Sequence, residues 1–417
     1  MRRMDAFDAG PYLFTVPFFL FPSSTLALVM PHALAFAVEM ATTVLTVAGL
    51  GYFLAALVAA RVYLVRRRAR LAAFAPGVSV LKSLKGLDPG MLDAFRSHCR
   101  QNYAGEYELL FGVASLSDPA AAAVEQLQAE FPERAIRLVE CPERLGTNGK
   151  VSTLMQLEAH ASYDFLLIND SDITVEPRYL ERVMACLEPA QVGLATALYR
   201  GRAHGTLASR LEALGIATDF QAGVLLSKTI EGGLHYGLGS TLAVRREALE
   251  KAGGLRALAD HLADDYEMGA SVARAGYCVE LSSTVVETSV PAYGWRGFVD
   301  HQLRWMRTVR DARPAGYAGL IFTHGLGWAL LNVVASGLSP VSLWLLAMSF
   351  FLRMALAMTV GAEVLGDHQV LGFLWLLPLR DVVAMGLWVA GFAGDTIVWR
   401  GERFVLKNGR LTKAGPG

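Results

Sequence analysis

Residues 165–172 read FLLINDSD, in which four apolar residues lead directly into two aspartates separated by one serine. A short apolar run of this kind is typical of a strand that is buried on both faces of a parallel sheet. Asp170 and Asp172 would then follow the carboxyl end of the strand, where ligands bind in open α/β sheets. Their hard oxygens are suited to hold a divalent cation against a diphosphate. An ordinary turn is the alternative interpretation, because Asp and Ser are also common turn residues.

The same alternation of short apolar runs and helical patterns extends on both sides of this stretch. Strand-like runs recur at residues 78–81, 107–113 and 136–141, with helical stretches between them at 120–130 and 179–187. This order predicts a doubly wound α/β sheet with helices on both faces. We therefore expect one α/β domain over residues 76–313.

The chain as a whole is more apolar than an ordinary soluble protein. Of its 417 residues 53% are hydrophobic and 18% are charged, which argues against a wholly soluble enzyme. Residues 40–60 contain no charged side chain and have the length of a helix that crosses about 30 Å of hydrocarbon. Five arginines follow between residues 61 and 70, so the positive-inside rule places this flank in the cytoplasm. We expect a transmembrane helix at 40–60, a basic linker at 61–75 and a cytoplasmic domain after it.

Hydrophobic sequence returns after the α/β domain, over residues 314–398. Three stretches there are candidates for membrane segments: 318–338, 341–360 and 370–398. The second contains Arg353 and the third contains Arg380 and Asp381, so we expect these segments to be broken, tilted or partly interfacial. The tail, residues 399–417, is basic and is expected in the cytoplasm, which requires an even number of crossings after the α/β domain. Which of the three segments does not cross stays open.

Residues 1–39 are expected to form a hydrophobic or interfacial segment. Within it, residues 12–21 are apolar but too short to span a membrane. Arg2 and Arg3 precede them as in a signal peptide, although no convincing cleavage site follows.

Net charge and cysteine spacing exclude two other classes of protein. The 38 basic residues balance the 38 acidic ones, so there is no basic excess of the kind that binds nucleic acid. The four cysteines are widely spaced, without a CxxC pair or a Cys/His cluster of zinc spacing. We expect them to be unpaired thiols in a reducing compartment. They are Cys99, Cys141, Cys186 and Cys278.

Further acidic residues stand where a ligand site would need them. Asp118 follows the strand-like run at 107–113, so it too would lie at the carboxyl edge of the sheet. Asp264 and Asp265 begin a helical pattern, and acidic residues at a helix start are commonly caps. We interpret Asp264 as such a cap and Asp265 as a functional residue.

Two basic positions have a functional and a structural interpretation each. Arg304 and Trp305 offer a guanidinium for phosphate oxygens and a flat indole for a sugar or base, but they also suit a juxtamembrane anchor. Lys150 ends the sequence GTNGK, which is not a Walker A motif because only two residues separate the glycines and Val151 follows the lysine. Contact with the phosphates of a nucleotide and a solvated loop position both remain open for Lys150.

The ordered set of Asp118, Asp170-x-Asp172, Asp265 and Arg304-Trp305, on an α/β domain between membrane segments, resembles the membrane-bound family 2-like glycosyltransferases. The resemblance is closer to the ceramide glucosyltransferase group, which includes bacterial hopanoid-associated relatives. It extends from about residue 40 to the terminus, and other segments carry it as well: PGVSVLKSLKG at 76–86, SDPA at 117–120, GGL at 253–255 and LLPLRD at 376–381. The family pattern (Q/R)xxRW has His301 at its first position here, which leaves the role of that side chain in doubt.

The resemblance implies a GT-A-like fold and a role for each matched residue. Asp118 would contact the nucleotide, and Asp170 and Asp172 would hold Mg²⁺ or Mn²⁺ on the diphosphate. Asp265 would act as general base, taking the proton of a lipid hydroxyl. Arg304 would stabilise the pyrophosphate, and Trp305 would line the acceptor or sugar site.

The expected activity is inverting, metal-dependent transfer of one sugar from a UDP-sugar to the hydroxyl of a membrane lipid. Glucose or N-acetylglucosamine would be the sugar, and a ceramide-like lipid or a hopanoid polyol the acceptor. The protein would lie in the bacterial inner membrane with several spans and a cytoplasmic catalytic domain. A processive polysaccharide synthase and a non-catalytic lipid-binding scaffold are the alternatives. The first needs more spans than this chain offers, and the second predicts no binding of UDP-sugar.

Overall fold

The computed structural model describes residues 32–67, 74–399 and 402–413. The expectations for residues 12–21, for Arg68 and Arg70 and for residues 414–417 lie outside the described residues. Within the described ranges the chain forms a seven-stranded sheet, a three-stranded sheet and helices on both sides of them.

A single long helix, α1 (His32–Arg66), contains the predicted transmembrane stretch and extends beyond both of its ends. At 1.5 Å per residue its 35 residues span about 52 Å, which exceeds the hydrocarbon thickness. Residues 61–66 are therefore helical and not part of an irregular linker. They continue the helix beyond the predicted span, because nothing between residues 60 and 66 interrupts it: the segment has no glycine or proline.

A mixed seven-stranded sheet follows, and the four strands predicted from short apolar runs are all present. They are β1 (Val78–Ser83), β2 (Tyr107–Val113), β3 (Ala135–Glu140) and β4 (Phe165–Ile168), all parallel to one another. The other three strands of this sheet are β5 (Val192–Ala203), β6 (Leu242–Arg245) and β7 (Cys278–Val290). The order is β3-β2-β1-β4-β6-β5-β7, and only β6 runs antiparallel to its neighbours. The carboxyl ends of β1, β2 and β4 consequently meet at one edge of the sheet.

Helices cover both faces of this sheet, which explains why its strands read as continuous apolar runs. The helices of the α/β domain are α2 (Met91–Cys99), α3 (Pro119–Glu130), α4 (Gly149–Glu158), α5 (Tyr179–Cys186), α6 (Leu207–Gly215), α7 (Gln221–Ile230), α8 (Arg246–Lys251), α9 (Asp264–Arg274) and α10 (Trp295–Ala312). Successive strand residues enter opposite cores: Val80 and Leu109 pack in one, Leu81 and Leu110 in the other. Each such buried side chain contributes about 1.5–3 kcal/mol. The predicted α/β architecture is confirmed.

The C-terminal helices include further candidate membrane spans. They are α11 (Pro314–Gly319), α12 (Gly325–Ala335), α13 (Pro340–Ala357), α14 (Gln369–Phe373) and α15 (Leu377–Ala390). Among the described residues, three helical segments are long and apolar enough to cross a membrane: Ala33–Arg66, Pro340–Val364 and Gln369–Ala390. The helices over Pro314–Thr323 and Gly325–Ala335 form a fourth candidate, bent by 57°.

The C-terminal segment corrects two boundaries of the sequence analysis. The third hydrophobic stretch was expected to run from 370 to 398, but its helix ends at Ala390. Strand β8 (Thr396–Trp399) begins a small antiparallel sheet, completed by β9 (Glu402–Lys407) and β10 (Arg410–Lys413). The tail is therefore folded over much of its length. Its backbone bonds to the α/β domain, since the Leu262 amide donates to the Gly409 carbonyl at 3.2 Å.

The charges predicted to disturb the membrane segments pair with one another. Arg353 on α13 donates to both carboxylate oxygens of Asp381 on α15, at 2.8 and 3.0 Å. Arg380 pairs with Asp219, which lies between α6 and α7 of the α/β domain. Burying a charge is tolerated where a partner of opposite sign accompanies it. The four cysteines are unpaired, as predicted.

Candidate active site

The edge where β1, β2 and β4 end carries a fully buried lysine that the sequence analysis did not single out. Lys82, near the end of β1, donates from Nζ to the carbonyl of Asp170 at 3.0 Å. Burial lowers the pKa of Lys82 to about 7, against the opposing effect of the carboxylates of Asp172 and Asp170. A lysine inside an apolar strand could have indicated a functional site from the sequence, because a charged group is buried only beside a partner.

Asp118 stands at the same edge and joins two loops. Its carboxylate caps α3 by accepting from the Ala120 amide at 2.9 Å. It also accepts from the Gly86 amide, at 2.9 and 3.1 Å to its two oxygens. Gly86 has a φ of 71°, a left-handed conformation that suits glycine. Asp118 thereby fixes the loop that follows β1, and its predicted nucleotide contact would use the remaining acceptor capacity of its oxygens.

Lys150 is an inward member of the site and not a solvated loop residue. It lies in the first turn of α4, with Nζ 2.7 Å from Asp170 Oδ1 and 3.4 Å from Asp264 Oδ2. Burial acts to lower the pKa of Lys150, but the carboxylates of Asp170, Asp264 and Asp265 outweigh burial and raise it. Lys150 therefore carries a firm positive charge next to the DSD sequence.

The second aspartate of that sequence, Asp172, is held by the neighbouring strand β7. Its Oδ2 accepts from Thr288 Oγ1 at 2.6 Å and from the Ser289 amide at 3.0 Å. Two backbone bonds between Thr174 and Glu287, at 2.8 and 3.0 Å, fix the same loop to β7. Burial raises the pKa of Asp172. The DSD sequence is thus a fixed loop with tertiary partners, and more than a local turn.

Asp264 is not the helix cap that the sequence analysis assigned. The residue before α9 is Ala263, which makes no side-chain cap. Asp264 instead turns inward, where its Oδ1 accepts from Asn148 Nδ2 at 3.3 Å and its Oδ2 faces Lys150. The orientation of the Asp264 side chain is set by these tertiary contacts, because the amino end of α9 packs against the amino end of α4.

Asp265 and Asp170 face one shared space above Gly239. A Cβ built on Gly239 would lie 2.8 Å from Asp265 Oδ2 and 3.6 Å from Asp170 Oδ2. Burial raises the pKa of Asp265 to about 6, helped by Asp264 and opposed by Lys150. A carboxylate with such a pKa is ionised at neutral pH and still basic enough for general-base work.

This shared space decides whether the site suits a divalent cation. No group of three or more His, Cys, Asp or Glu side chains in residues 32–67, 74–399 and 402–413 is arranged to hold a metal ion. Two carboxylates nevertheless converge above Gly239, and Mg²⁺ is commonly bound by one or two carboxylates together with substrate phosphates. The residues therefore fit a cation shared with a diphosphate. Asp170 faces this space, whereas Asp172 Oδ2 accepts from Thr288 and Ser289 of β7, and the metal contact expected for Asp172 stays a prediction.

Trp305 packs inside the protein on α10, next to residues from α6 and the turn that follows it. Its ring centroid lies 5.2 Å from that of His301 and 6.3 Å from that of Phe220. Arg304 is its half-buried neighbour on the same helix. Trp305 is thus half-buried against protein side chains, and its place at the acceptor or sugar site stays a prediction.

His301, whose role the sequence left in doubt, has a buried partner that the sequence analysis missed. His301 Nδ1 lies 3.1 Å from Glu212 Oε2, and Gln302 Nε2 donates to the same oxygen at 3.1 Å. The hydroxyl of Tyr293 also donates to Glu212. Glu212 lies in an otherwise apolar part of α6, and only its single charge among apolar neighbours could have marked it.

Tyr199 connects the carboxylate cluster with this second group of residues. Burial raises its pKa, and the charges of Asp265 and Asp170 on one side and Glu212 on the other add to that effect. The structure thus brings together Asp170, Asp172, Lys150 and Asp265, with Asp118 on the loop beside them. Trp305, which follows Arg304 on α10, is connected to Tyr199 through the ring of Phe220.

Comparison with known proteins identifies the family. The model of glycosyl transferase family 21 matches residues 41–412. The chain belongs to this family. Ceramide glucosyltransferase 3 of Caenorhabditis elegans is 24% identical over 358 residues, covering 79% of this chain and 73% of the relative. Ceramide glucosyltransferase 1 of the same organism is 22% identical over 349 residues, covering 80% and 72%. The predicted glycosyltransferase activity and the resemblance to ceramide glucosyltransferases are confirmed, while the hopanoid subgroup stays a prediction.

A solved structure supports the fold of this family 21 member. A mannosyltransferase from Pyrobaculum calidifontis, in complex with GDP-Man and Mn²⁺, superposes with a TM-score of 0.54. The match covers 85% of this chain and 97% of the mannosyltransferase at 19% sequence identity. The predicted GT-A-like fold is confirmed. Family membership also favours an enzyme over the non-catalytic scaffold.

Proposed function

We propose that this protein transfers one sugar from a UDP-sugar to the hydroxyl of a membrane lipid, with inversion at the anomeric carbon. The observation that carries the proposal is the convergence of Asp170 and Asp265 above Gly239, beside the lysine Lys150. A pocket of this kind suits a diphosphate and a proton acceptor at once. The similarity to ceramide glucosyltransferases supports a lipid acceptor, either ceramide-like or a hopanoid polyol.

The donor half of the site supplies positive charge for the leaving diphosphate. Lys82 contacts the carbonyl of Asp170 and Lys150 contacts its carboxylate, so two amines lie beside the proposed diphosphate site. Mg²⁺ or Mn²⁺, held by Asp170 together with the diphosphate, would neutralise charge on UDP as the glycosidic bond breaks, which leaves Asp265 available as the base. Asp172 keeps its loop against β7, so that Asp170 stays in position.

The acceptor half of the site needs a general base and a side chain that lines the binding site of the lipid. Asp265 takes the proton from the lipid hydroxyl while that oxygen forms its bond to the anomeric carbon. The bond between the anomeric carbon and the β-phosphate oxygen breaks on the opposite face, and UDP leaves with its electron pair. Arg304 adds a positive charge for the pyrophosphate, and Trp305 lines the path of the acceptor.

We further propose that α1, the bent pair over 314–335 and the helix over 340–364 cross the membrane. Gly325 packs on Gly49, and Asn332 accepts from Thr43 at 3.0 Å, so α12 runs antiparallel to α1. Glu363 then pairs with Arg61 near the carboxyl end of α1, so the following helix returns towards the α/β domain.

The remaining candidate, Gln369–Ala390, starts and ends against the α/β domain. Gln369 Oε1 accepts from the Ala203 amide at 3.2 Å, and Arg310 donates to the Gly391 carbonyl at 2.7 Å. This helix would lie at the interface without crossing. Two crossings after the α/β domain satisfy the even number required by the cytoplasmic tail. The proposed location is the inner membrane of a bacterium, with the catalytic domain in the cytoplasm.

Reconstitution tests the activity. Purified protein in phospholipid vesicles would receive UDP-glucose or UDP-N-acetylglucosamine, Mg²⁺ or Mn²⁺, and either ceramide or a hopanoid polyol. Formation of a lipid that carries one sugar, together with its loss in Asp265→Asn, supports the proposal. A polymer would favour a processive synthase, and no transfer with any pair of substrates would overturn the proposal.

A further inference from the structure

Four charges meet where the membrane helices contact the α/β domain: Arg353 and Asp381 are buried, and Arg380 and Asp219 are partly exposed. Arg353 Nη2 donates to Asp219 Oδ1 at 2.6 Å and to Thr218 Oγ1 at 3.0 Å, besides its two bonds to Asp381. Arg380 pairs with Asp219 as well. The Arg353 side chain is only 1% exposed. Two arginines and two aspartates make a neutral group, so removal of Asp219 or Asp381 leaves the buried Arg353 with one carboxylate partner where it had two.

Asp219 belongs to a π-helical turn, Ile216–Phe220, that interrupts the helix formed by α6 and α7. We call this segment the π-turn. A π-turn adds a residue to the helical repeat and redirects the side chains around it, and such turns are frequent at functional sites. Gly215, just before it, lets Arg380 approach: a Cβ there would lie 2.5 Å from Arg380 Nη2.

The residue after Asp219 faces the candidate active site. The Phe220 ring lies 5.6 Å from the ring of Tyr199 and 6.3 Å from that of Trp305, and it is partly exposed. Tyr199 on β5 pairs with Val286 of β7, two residues before Thr288, which donates to Asp172 of the candidate active site. Phe220 therefore links Trp305 with the strands beside the candidate active site.

The same helical segment is also fastened to α10 on its amino-terminal side. Glu212 on α6 accepts from Gln302 Nε2 and pairs with His301, both on α10 next to Trp305. The segment from α6 to α7 is thus held by the membrane-side charges at Asp219 and by α10 at Glu212. Phe220 directly follows Asp219, and its ring lies 6.3 Å from that of Trp305 on α10.

We propose that the π-turn builds the acceptor site, and this inference rests on the proposed transfer to a lipid. Phe220 contacts the part of the lipid next to its hydroxyl, in a row with Tyr199 and Trp305. Asp219 is a positioning residue: its pairs with Arg353 and Arg380 fix the position of Phe220 along the membrane helices. A lipid that rises along these helices meets Phe220 before its hydroxyl reaches Asp265.

Separate measurement of acceptor and donor kinetics tests this inference. The variants are Phe220→Leu, Phe220→Tyr and Asp219→Asn, with Phe351→Leu as a control because Phe351 on α13 is exposed. In vesicles with varied lipid acceptor, Phe220→Leu and Asp219→Asn should raise the acceptor KM about tenfold. Phe220→Tyr should retain the wild-type acceptor KM. Donor KM and hydrolysis of the UDP-sugar by water should stay near wild type in every variant.

Two results would overturn the inference. An unchanged acceptor KM in Phe220→Leu would exclude contact with the lipid, and equal losses of lipid transfer and donor hydrolysis would indicate a general structural defect. Should Asp219→Asn fail to accumulate, Phe220→Leu decides alone, because its ring takes no part in the ion pairs. Failure of the proposed function itself would be recognised separately, as the absence of lipid product with the wild-type protein.

Discussion

Replacing Gly239 by alanine should disable the site without unfolding the protein. The new methyl group would lie 2.8 Å from Asp265 Oδ2 and 3.6 Å from Asp170 Oδ2. Ordinary van der Waals contact needs 3.4–4 Å, so Asp265 has to give way by about half an ångström or more. Displacements on the scale of 1 Å cost roughly 100-fold in rate, which is about 2.7 kcal/mol. The backbone of Gly239 does not have a positive φ, so alanine introduces no strain there.

Gly233→Ala is the matched control, because a Cβ there meets nothing within 4 Å and the backbone again has no positive φ. We expect kcat of Gly239→Ala to fall about 100-fold, with the thermal midpoint of both variants near that of the wild type. The assay is sugar transfer to lipid in vesicles, paired with calorimetric titration of UDP in the presence and absence of Mn²⁺. Gly239→Ala should also lose the Mn²⁺-dependent part of UDP binding. Equal turnover of the two alanine variants would refute the shared space as the reaction centre.

Three other predictions follow from the site. The kcat/KM should rise with pH through about 6, because Asp265 must lose its proton to act as base, and fall above about 7 as Lys82 loses its charge. Lys82→Met lacks that charge at every pH, so in a pH titration its kcat/KM should stay low and show no alkaline decline. Asp172→Ala should lower unfolding stability by about 1–3 kcal/mol in a denaturant titration, because the loop loses its bonds to β7; unchanged stability would contradict this role. Glu212→Leu should destabilise the protein more than Glu212→Gln, since only the glutamine can still accept a bond from Gln302; equal thermal midpoints would contradict it.

Local sequence patterns were sufficient to predict the strands that are buried on both faces of the sheet. The run at 165–168 became β4 because helices cover both sides of that strand, and the two aspartates followed at its carboxyl end as expected. The run at 396–399 was also largely apolar, but it forms a strand of the small antiparallel sheet. Gly394, with φ of 73°, lies between this strand and the preceding helix, and glycine disfavours a continuous helix there.

Contacts between distant parts of the chain were beyond a single sequence. The pairing of Arg353 with Asp219 joins residues 134 positions apart, and nothing local indicates it. Asp264 had the position of a cap, yet Lys150 and Asn148 on another helix determined its environment. The environments of these charged residues therefore depend on tertiary contacts that the sequence does not show. The position of the site, in contrast, could be predicted from the strands that precede its aspartates.

The central claim is that Asp265 accepts the proton of a lipid hydroxyl while a sugar is transferred to it. The most direct measurement is mass spectrometry of total lipids from cells that lack the protein, that express it, or that express Asp265→Asn to the same level. The account predicts a lipid carrying a single hexose or N-acetylhexosamine only with the wild-type protein. Calorimetry should show UDP bound by both proteins. The same glycolipid at the same abundance in cells with Asp265→Asn would contradict the account.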